Sequence, residues 1–91
     1  MALQPAPIPP ARSGRRSLRL ADLAIGGAAV IEHVDESSPL GRRLLDLGLV
    51  PETRIRLRRR APLGDPLEFE LRGYRLCLRR ADAHEVRVRP E

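Results

Sequence analysis

The chain is poor in the residues from which catalytic and metal centres are usually built. Of its 91 residues one is cysteine, two are histidine, one is phenylalanine, one is tyrosine and none is tryptophan. A lone cysteine, Cys77, excludes an internal disulfide framework and suits a reducing compartment. His33, Cys77 and His84 are the only soft or borderline metal ligands, and no CxxC, HxH or HExxH spacing occurs. The two histidines close a strand and a turn, where solvated side chains are expected. No Cys/His or Ser/His arrangement and no glycine-rich phosphate loop after a strand is visible. The sequence therefore predicts no enzyme, no cofactor and no metal site. Long apolar runs are missing too. Leu23 to Ile31 is broken by Gly26-Gly27, far short of the about 20 residues that span a bilayer. The N-terminus carries no apolar region of the kind found in a secretory signal.

Lysine is absent as well, since every one of the 17 cations is arginine. The arginines are not confined to one patch, which reads as coding bias. The net charge of +5 suggests nucleic acid until it is divided along the chain. Residues 1–19 contain Arg12, Arg15, Arg16 and Arg19 with no acid; residues 20–91 have a balance of +1. Single-strand binders also need aromatic platforms, and Phe69 and Tyr74 are both expected on a core face. Nucleic acid is not the expected partner of the globular part.

Residues 1–17 read as a disordered Pro- and Arg-rich tail, because Pro5, Pro7, Pro9 and Pro10 cannot donate backbone hydrogen bonds. Such a tail is either a solvated extension or a basic arm for an anionic partner. Residues 18–91 read as one small domain. Leu18–Ile25 leads to a Gly26-Gly27 turn, and Ala28–Val34 is a strand rich in β-prone residues. Ser38 is a good helix N-cap and Pro39 suits the first helical position. Leu40, Leu44 and Leu47 then recur as one stripe of a helix of about ten residues, closed by Gly48. That stripe is expected to dock on the domain, which makes Leu44 and Leu47 structural. Thr53–Arg60 is the next strand, with Ile55 and Leu57 facing one way and Arg54, Arg56 and Arg58 the other. Arg80–His84 forms one helical turn, and Glu85–Arg89 a last strand with Val86 and Val88 inward.

The clearest pattern is Ala61–Arg80. Leu67, Phe69 and Leu71 alternate with Glu68 and Glu70; Tyr74, Leu76 and Leu78 alternate with Arg75, Cys77 and Arg79. A strand turns successive side chains to opposite faces, so each run has one apolar face. With only Arg72-Gly73 between them, Leu71 pairs with Tyr74, Phe69 with Leu76 and Leu67 with Leu78. About five short strands, each with one apolar face, solve their edge problem by closing into a small barrel. The fold class is mainly β: an SH3-like barrel with one short helix plugging an end. Glu68 and Glu70 fall opposite the arginines of the preceding strand, so the arginine stripe reads as a charge ladder rather than a phosphate site. Cys77 lies opposite Glu68 on the outer face, or packs under the helix.

What remains is binding. Leu49 and Val50 follow the helix end, and they either pack into the barrel mouth or offer an exposed apolar contact. The candidate partner-binding residues are Gly48, Leu49, Val50 and Pro51, with Gly64 and Asp65 at the tip of the Pro62–Pro66 loop as a second contact. Exposed strand edges would also let copies of the chain pair.

The combination of Arg43-Leu44-Leu45-Asp46-Leu47-Gly48-Leu49-Val50-Pro51, Ala61-Pro62-Leu63-Gly64-Asp65-Pro66, Gly73-Tyr74-Arg75-Leu76 and Leu78-Arg79-Arg80 resembles the FeoA family, ferrous iron transport protein A. The likeness runs from about Leu18 to Val88. It implies an SH3-like barrel and a small cytoplasmic accessory protein of bacterial ferrous iron uptake. The partner it implies is the membrane transporter FeoB, with its N-terminal GTP-binding domain. The alternatives are a metal-responsive regulatory module related to iron-dependent repressors, or a small nucleic-acid-binding barrel that uses the tail. One departure from the family pattern is Glu52, where glycine is usual. The turn there either differs in its torsions or holds residue 52 with φ below zero.

Overall fold

The computed structural model describes residues 18–91. The tail expected at residues 1–17 lies outside the described residues. Six strands form one antiparallel sheet: β1 Leu18–Arg19, β2 Ala28–Val34, β3 Arg54–Arg60, β4 Leu67–Leu71, β5 Tyr74–Leu78 and β6 Val86–Pro90. Their hydrogen-bonded order is β1-β6-β2-β3-β4-β5. A 3-10 turn at Leu20–Asp22 follows β1, helix α1 (Pro39–Asp46) joins β2 to β3, and helix α2 (Arg80–Ala83) joins β5 to β6.

The period-two alternation of the strands becomes a single core. Ile31 of β2, Leu57 of β3, Phe69 of β4 and Val88 of β6 are fully buried in one cluster with Leu20, and Leu78 of β5 belongs to it. A flat sheet holds its outermost strands far apart. One core that collects residues from across all of them requires the sheet to wrap around its own apolar face. The result is the expected small barrel, with β1 and β5 as its two edges. The β4–β5 hairpin has the register read from the sequence, Leu71 opposite Tyr74, Phe69 opposite Leu76 and Leu67 opposite Leu78. Its turn residues Arg72 and Gly73 both take positive φ, 49° and 83°, as a two-residue turn that matches the strand twist requires.

Helix α1 begins as the sequence suggests. The Ser38 hydroxyl accepts a hydrogen bond from the Gly41 amide at 2.9 Å, and Pro39 occupies the first turn. Just before it, the Asp35 carboxylate accepts hydrogen bonds from the Ser37 amide at 2.9 Å and hydroxyl at 2.6 Å. These bonds hold the Asp35 carboxyl below its ordinary pKa, the Ser37 hydroxyl contributing most. Gly41 is seated against this turn so closely that an added Cβ would lie 1.7 Å from the Asp35 carbonyl oxygen.

The leucine stripe needs one correction. Leu44 is buried and Leu40 partly so, but Leu47 is 39% exposed. The helix ends at Asp46 and Leu47 is its C-cap, still in a right-handed helical conformation but beyond the part of the stripe that the core covers. Strand β3 carries a second change. Its register with β4 shifts between Leu57 and Arg59, a bulge at Arg58. Beyond it Arg59 stands opposite Glu68, and Arg60 is turned toward the barrel end, where it donates to the Leu23 carbonyl at 3.2 Å.

Candidate functional site

The expected contact residues fall at two places, joined by the β4–β5 hairpin. At the turn end of the hairpin, α1 finishes in a chain reversal. The Gly48 amide donates to the Leu45 carbonyl at 2.9 Å and the Leu49 amide to the Leu44 carbonyl at 3.1 Å. This is the Schellman arrangement, in which a left-handed residue follows the cap and the next residue packs back on the helix. Gly48 has φ of 106°. Leu49 is consequently driven into the core and is fully buried beside Leu44. The expectation that Leu49 contacts a partner is corrected by that burial. The exposed apolar surface here is Leu47 and Pro51, with Val50 half-buried.

Tyr74 completes this end. Its hydroxyl donates to the Leu47 carbonyl, satisfying a helix-terminal acceptor, and the residue is 40% exposed rather than in the core as the alternation suggested. A Cβ on Gly48 would sit 2.2 Å from that hydroxyl oxygen. Position 48 is therefore restricted to glycine by its backbone torsion and by the tyrosine above it.

Glu52 follows with φ of 69°, so the reading with φ below zero is overturned. A left-handed conformation disfavours a side chain with Cβ. The turn is nevertheless tied down: the Glu52 amide donates to the Ile31 carbonyl at 2.7 Å, and Arg89 grips both carboxylate oxygens at 2.8 and 3.3 Å. The Arg89 hydrogen bonds and its charge hold the Glu52 carboxyl below its ordinary pKa. A bidentate guanidinium fixes the side chain in a way glycine cannot.

The other place is the Pro62–Pro66 loop at the open end of the hairpin. The Ala61 amide donates to the Pro66 carbonyl at 3.0 Å and the Gly64 amide to the Ala61 carbonyl at 2.7 Å. The Asp65–Pro66 peptide is cis. Asp65 has a structural task, since its carboxylate accepts from the Arg80 amide at 2.8 Å and so caps α2. The large apolar side chain this loop offers to solvent is Leu63, 96% exposed and absent from the sequence-derived set. The signal for it was weak: a single leucine between Pro62 and Gly64. Gly48 touches Tyr74 and Leu71 at one end of β4, whereas Asp65 reaches Arg80 beyond the other. Four residue steps along β4 put the two places roughly 13 Å apart or more. They do not form one patch.

The charged face behaves largely as a ladder. Arg58 pairs with Glu70 at 3.0 Å, and Glu68 takes Arg59 at 3.2 Å and Arg75 at 3.6 Å. Arg56 stands opposite Glu70 in the register, but Glu70 pairs with Arg58 at the bulge and Arg59 takes Glu68, while Arg54 pairs with Glu91. Cys77 is exposed opposite Glu68, as one of the two readings had it, and both histidines are exposed. Among the described residues no group of three or more His, Cys, Asp or Glu is placed to hold a metal ion. No helix of the described residues is long and apolar enough to cross a membrane.

The FeoA domain family model matches residues 18–90. The chain is 35% identical over 71 residues to a Fe(2+) transport protein A/Fe(2+) transporter FeoB fusion protein of Porphyromonas gingivalis. That match takes in 78% of this chain but only 8% of the relative's length. Among solved structures, a FeoA-like protein from Clostridium acetobutylicum superposes with a TM-score of 0.77 at 31% identity, covering 81% of this chain and 86% of that one. A FeoA of Stenotrophomonas maltophilia complexed with zinc, described as an SH3 domain protein, gives a TM-score of 0.65 at 28% identity, covering 78% and 88%.

Proposed function

Because this chain belongs to the FeoA family, which is associated with ferrous iron transport, we propose that it is a non-enzymatic accessory protein of ferrous iron uptake. In this reading it docks on the cytoplasmic region of a FeoB-type transporter. The observation that carries the reading is the relative in which a transport protein A and a FeoB transporter are one polypeptide. Fusion keeps two partners at high effective concentration, which benefits pairs that act in contact.

The docking surface of this proposal is the α1 end: Leu47, Val50 and Pro51, presented by the Gly48 reversal. Leu63, beside Gly64 and Asp65, is a second contact beyond the opposite end of the hairpin. Burying a leucine side chain contributes about 1.5–3 kcal/mol, enough for a few residues to decide a small interface. A rigid barrel alters its partner only if it binds two states of that partner with different affinity.

The test is co-purification of the full chain with full-length FeoB from the same genome, in the absence of nucleotide, with GDP and with a non-hydrolysable GTP analogue. Retention in at least one state, lost in Leu47→Asp and weakened in Leu63→Asp, is the expected result. No association in any nucleotide state would sink the docking mechanism. Association that survives Leu47→Asp would remove the α1 end from it.

A further inference from the structure

The bulge that spoils the simple arginine ladder leaves a second basic feature. A cleft of about 320 Å³ lies across β3, bordered by Arg54, Arg56, Arg58 and Arg72 with Glu70 as the one acid in its lining. Its floor exists because the cross-strand row through Arg56 begins at Ala28 on β2, whose methyl fills little of the space above the sheet. Gly73, with no side chain, opens the same cleft at the hairpin turn.

The guanidinium groups are only partly committed. Arg54 pairs with Glu91, Arg58 with Glu70, and Arg72 reaches 19 residues back to donate to the Thr53 hydroxyl at 3.2 Å. Thr53 is 6% exposed, so this bond anchors Arg72 over the start of β3. Arg56 makes no hydrogen bond or ion pair among the described residues, although it adds to the field that lowers the Glu91 pKa. Four guanidiniums against Glu70 and Glu91 leave the cleft with an excess of two positive charges. Each guanidinium has five N–H donors, and one or two partners do not exhaust them.

We infer that this cleft is an anion site for a phosphate chain, of the di- or triphosphate class. Guanidinium forks match phosphate oxygens in pairs, and a chain of phosphates spans several forks where a single carboxylate engages one. No aromatic side chain borders the cleft, so it has no platform on which a base would stack. Recognition is of the phosphates, whether free or carried by a nucleotide.

The experiment is a titration of the full ¹⁵N-labelled chain, followed by amide shifts, with inorganic triphosphate and separately with ATP. Each is run at low ionic strength and at physiological salt. Saturable shifts centred on Ala28, Arg56, Arg72 and Gly73 are expected, with the two ligands within threefold of one another. Arg56→Glu is expected to weaken binding by tenfold or more. Arg87→Glu on β6 and Arg79→Glu just past the end of β5 make the same charge change elsewhere and are expected to alter it by less than threefold. If Arg56→Glu does not fold, Arg56→Gln replaces it, with a threefold or greater loss expected. The inference is overturned by the absence of saturation at low salt, or by equal weakening in the control variants. ATP binding more than tenfold tighter than triphosphate would overturn recognition through phosphate alone, and so would hexaglutamate binding as well as triphosphate.

Discussion

The β4–β5 hairpin carries an exposed apolar side chain and a positive-φ glycine beyond each end, yet the two glycines are held in different ways. At the turn end, Gly48 lies under the Tyr74 hydroxyl, inside a helix cap whose last residue packs into the core. At the loop end, Gly64 has φ of 91° and nothing within 4 Å of an added Cβ. One glycine answers to backbone torsion and packing together, the other to torsion alone. The apolar residues differ in parallel. Leu47 protrudes from a cap that fixes it, whereas Leu63 protrudes from a loop whose polar neighbour Asp65 is occupied with α2. A surface meant to present the same contact to a partner each time is better placed on the first.

That contrast is measurable. Gly48→Ala is expected to lower the unfolding free energy by about 2–3 kcal/mol, from left-handed strain plus a lost hydrogen bond, read by urea denaturation. Gly64→Ala, with strain alone, is expected to cost about 1–2 kcal/mol. In a Tyr74→Phe background the clash and the hydroxyl bond are already gone, so the two glycine substitutions should become equal. A difference that persists there would show that something other than Tyr74 restricts position 48. Asp65→Ala removes the cap of α2 and is expected to cost about 1 kcal/mol, with faster hydrogen exchange confined to Arg80–Ala83 and the loop.

The smallest effect concerns acid. The Glu52 carboxyl is lowered in the folded state by Arg89, so its contribution to stability is present above the ordinary glutamate value of about 4.3. It is lost as pH falls through the lower folded value. Glu52→Gln should therefore be less stable than the native chain at pH 7. The two should converge in acid, as paired denaturation curves at both pH values would show. A gap independent of pH would assign the stabilisation to side-chain shape rather than charge.

Much of the barrel was legible because its rules are local. Period-two alternation and a two-residue turn determined the pairing of Leu67, Phe69 and Leu71 with Leu78, Leu76 and Tyr74. Ser38, Pro39 and Gly48 marked the bounds of α1 by their capping chemistry. What escaped depends on contacts between distant segments. Leu47 and Leu49 exchanged roles because a helical stripe was extended through a cap; an apolar residue directly after a C′ glycine was the available sign of a Schellman reversal. The left-handed Glu52 depends on Arg89, 37 residues away, which no local pattern reports. The bulge at Arg58 left no mark in a run of alternating and then consecutive arginines, and the cleft it borders was invisible for the same reason. The close approach of Gly41 to the Asp35 backbone likewise depends on how the turn before α1 folds back on the helix.

The pairing of Leu18 with Val88 has a mechanical consequence. The polypeptide comes into the barrel and leaves it on adjacent antiparallel strands, at one edge. Tension applied along the chain at these two points would part β1 from β6 bond by bond, as a zipper opens, rather than shear the sheet. The two β1 pairs would be loaded first, together with the pairing of Pro90 with Ala29 on β2, while β3, β4 and β5 lie farther from the pull. A domain hung in this way behaves as a side-mounted bead: its two points of attachment lie together, so it can be spliced to a much larger polypeptide with little displacement of the flanking segments.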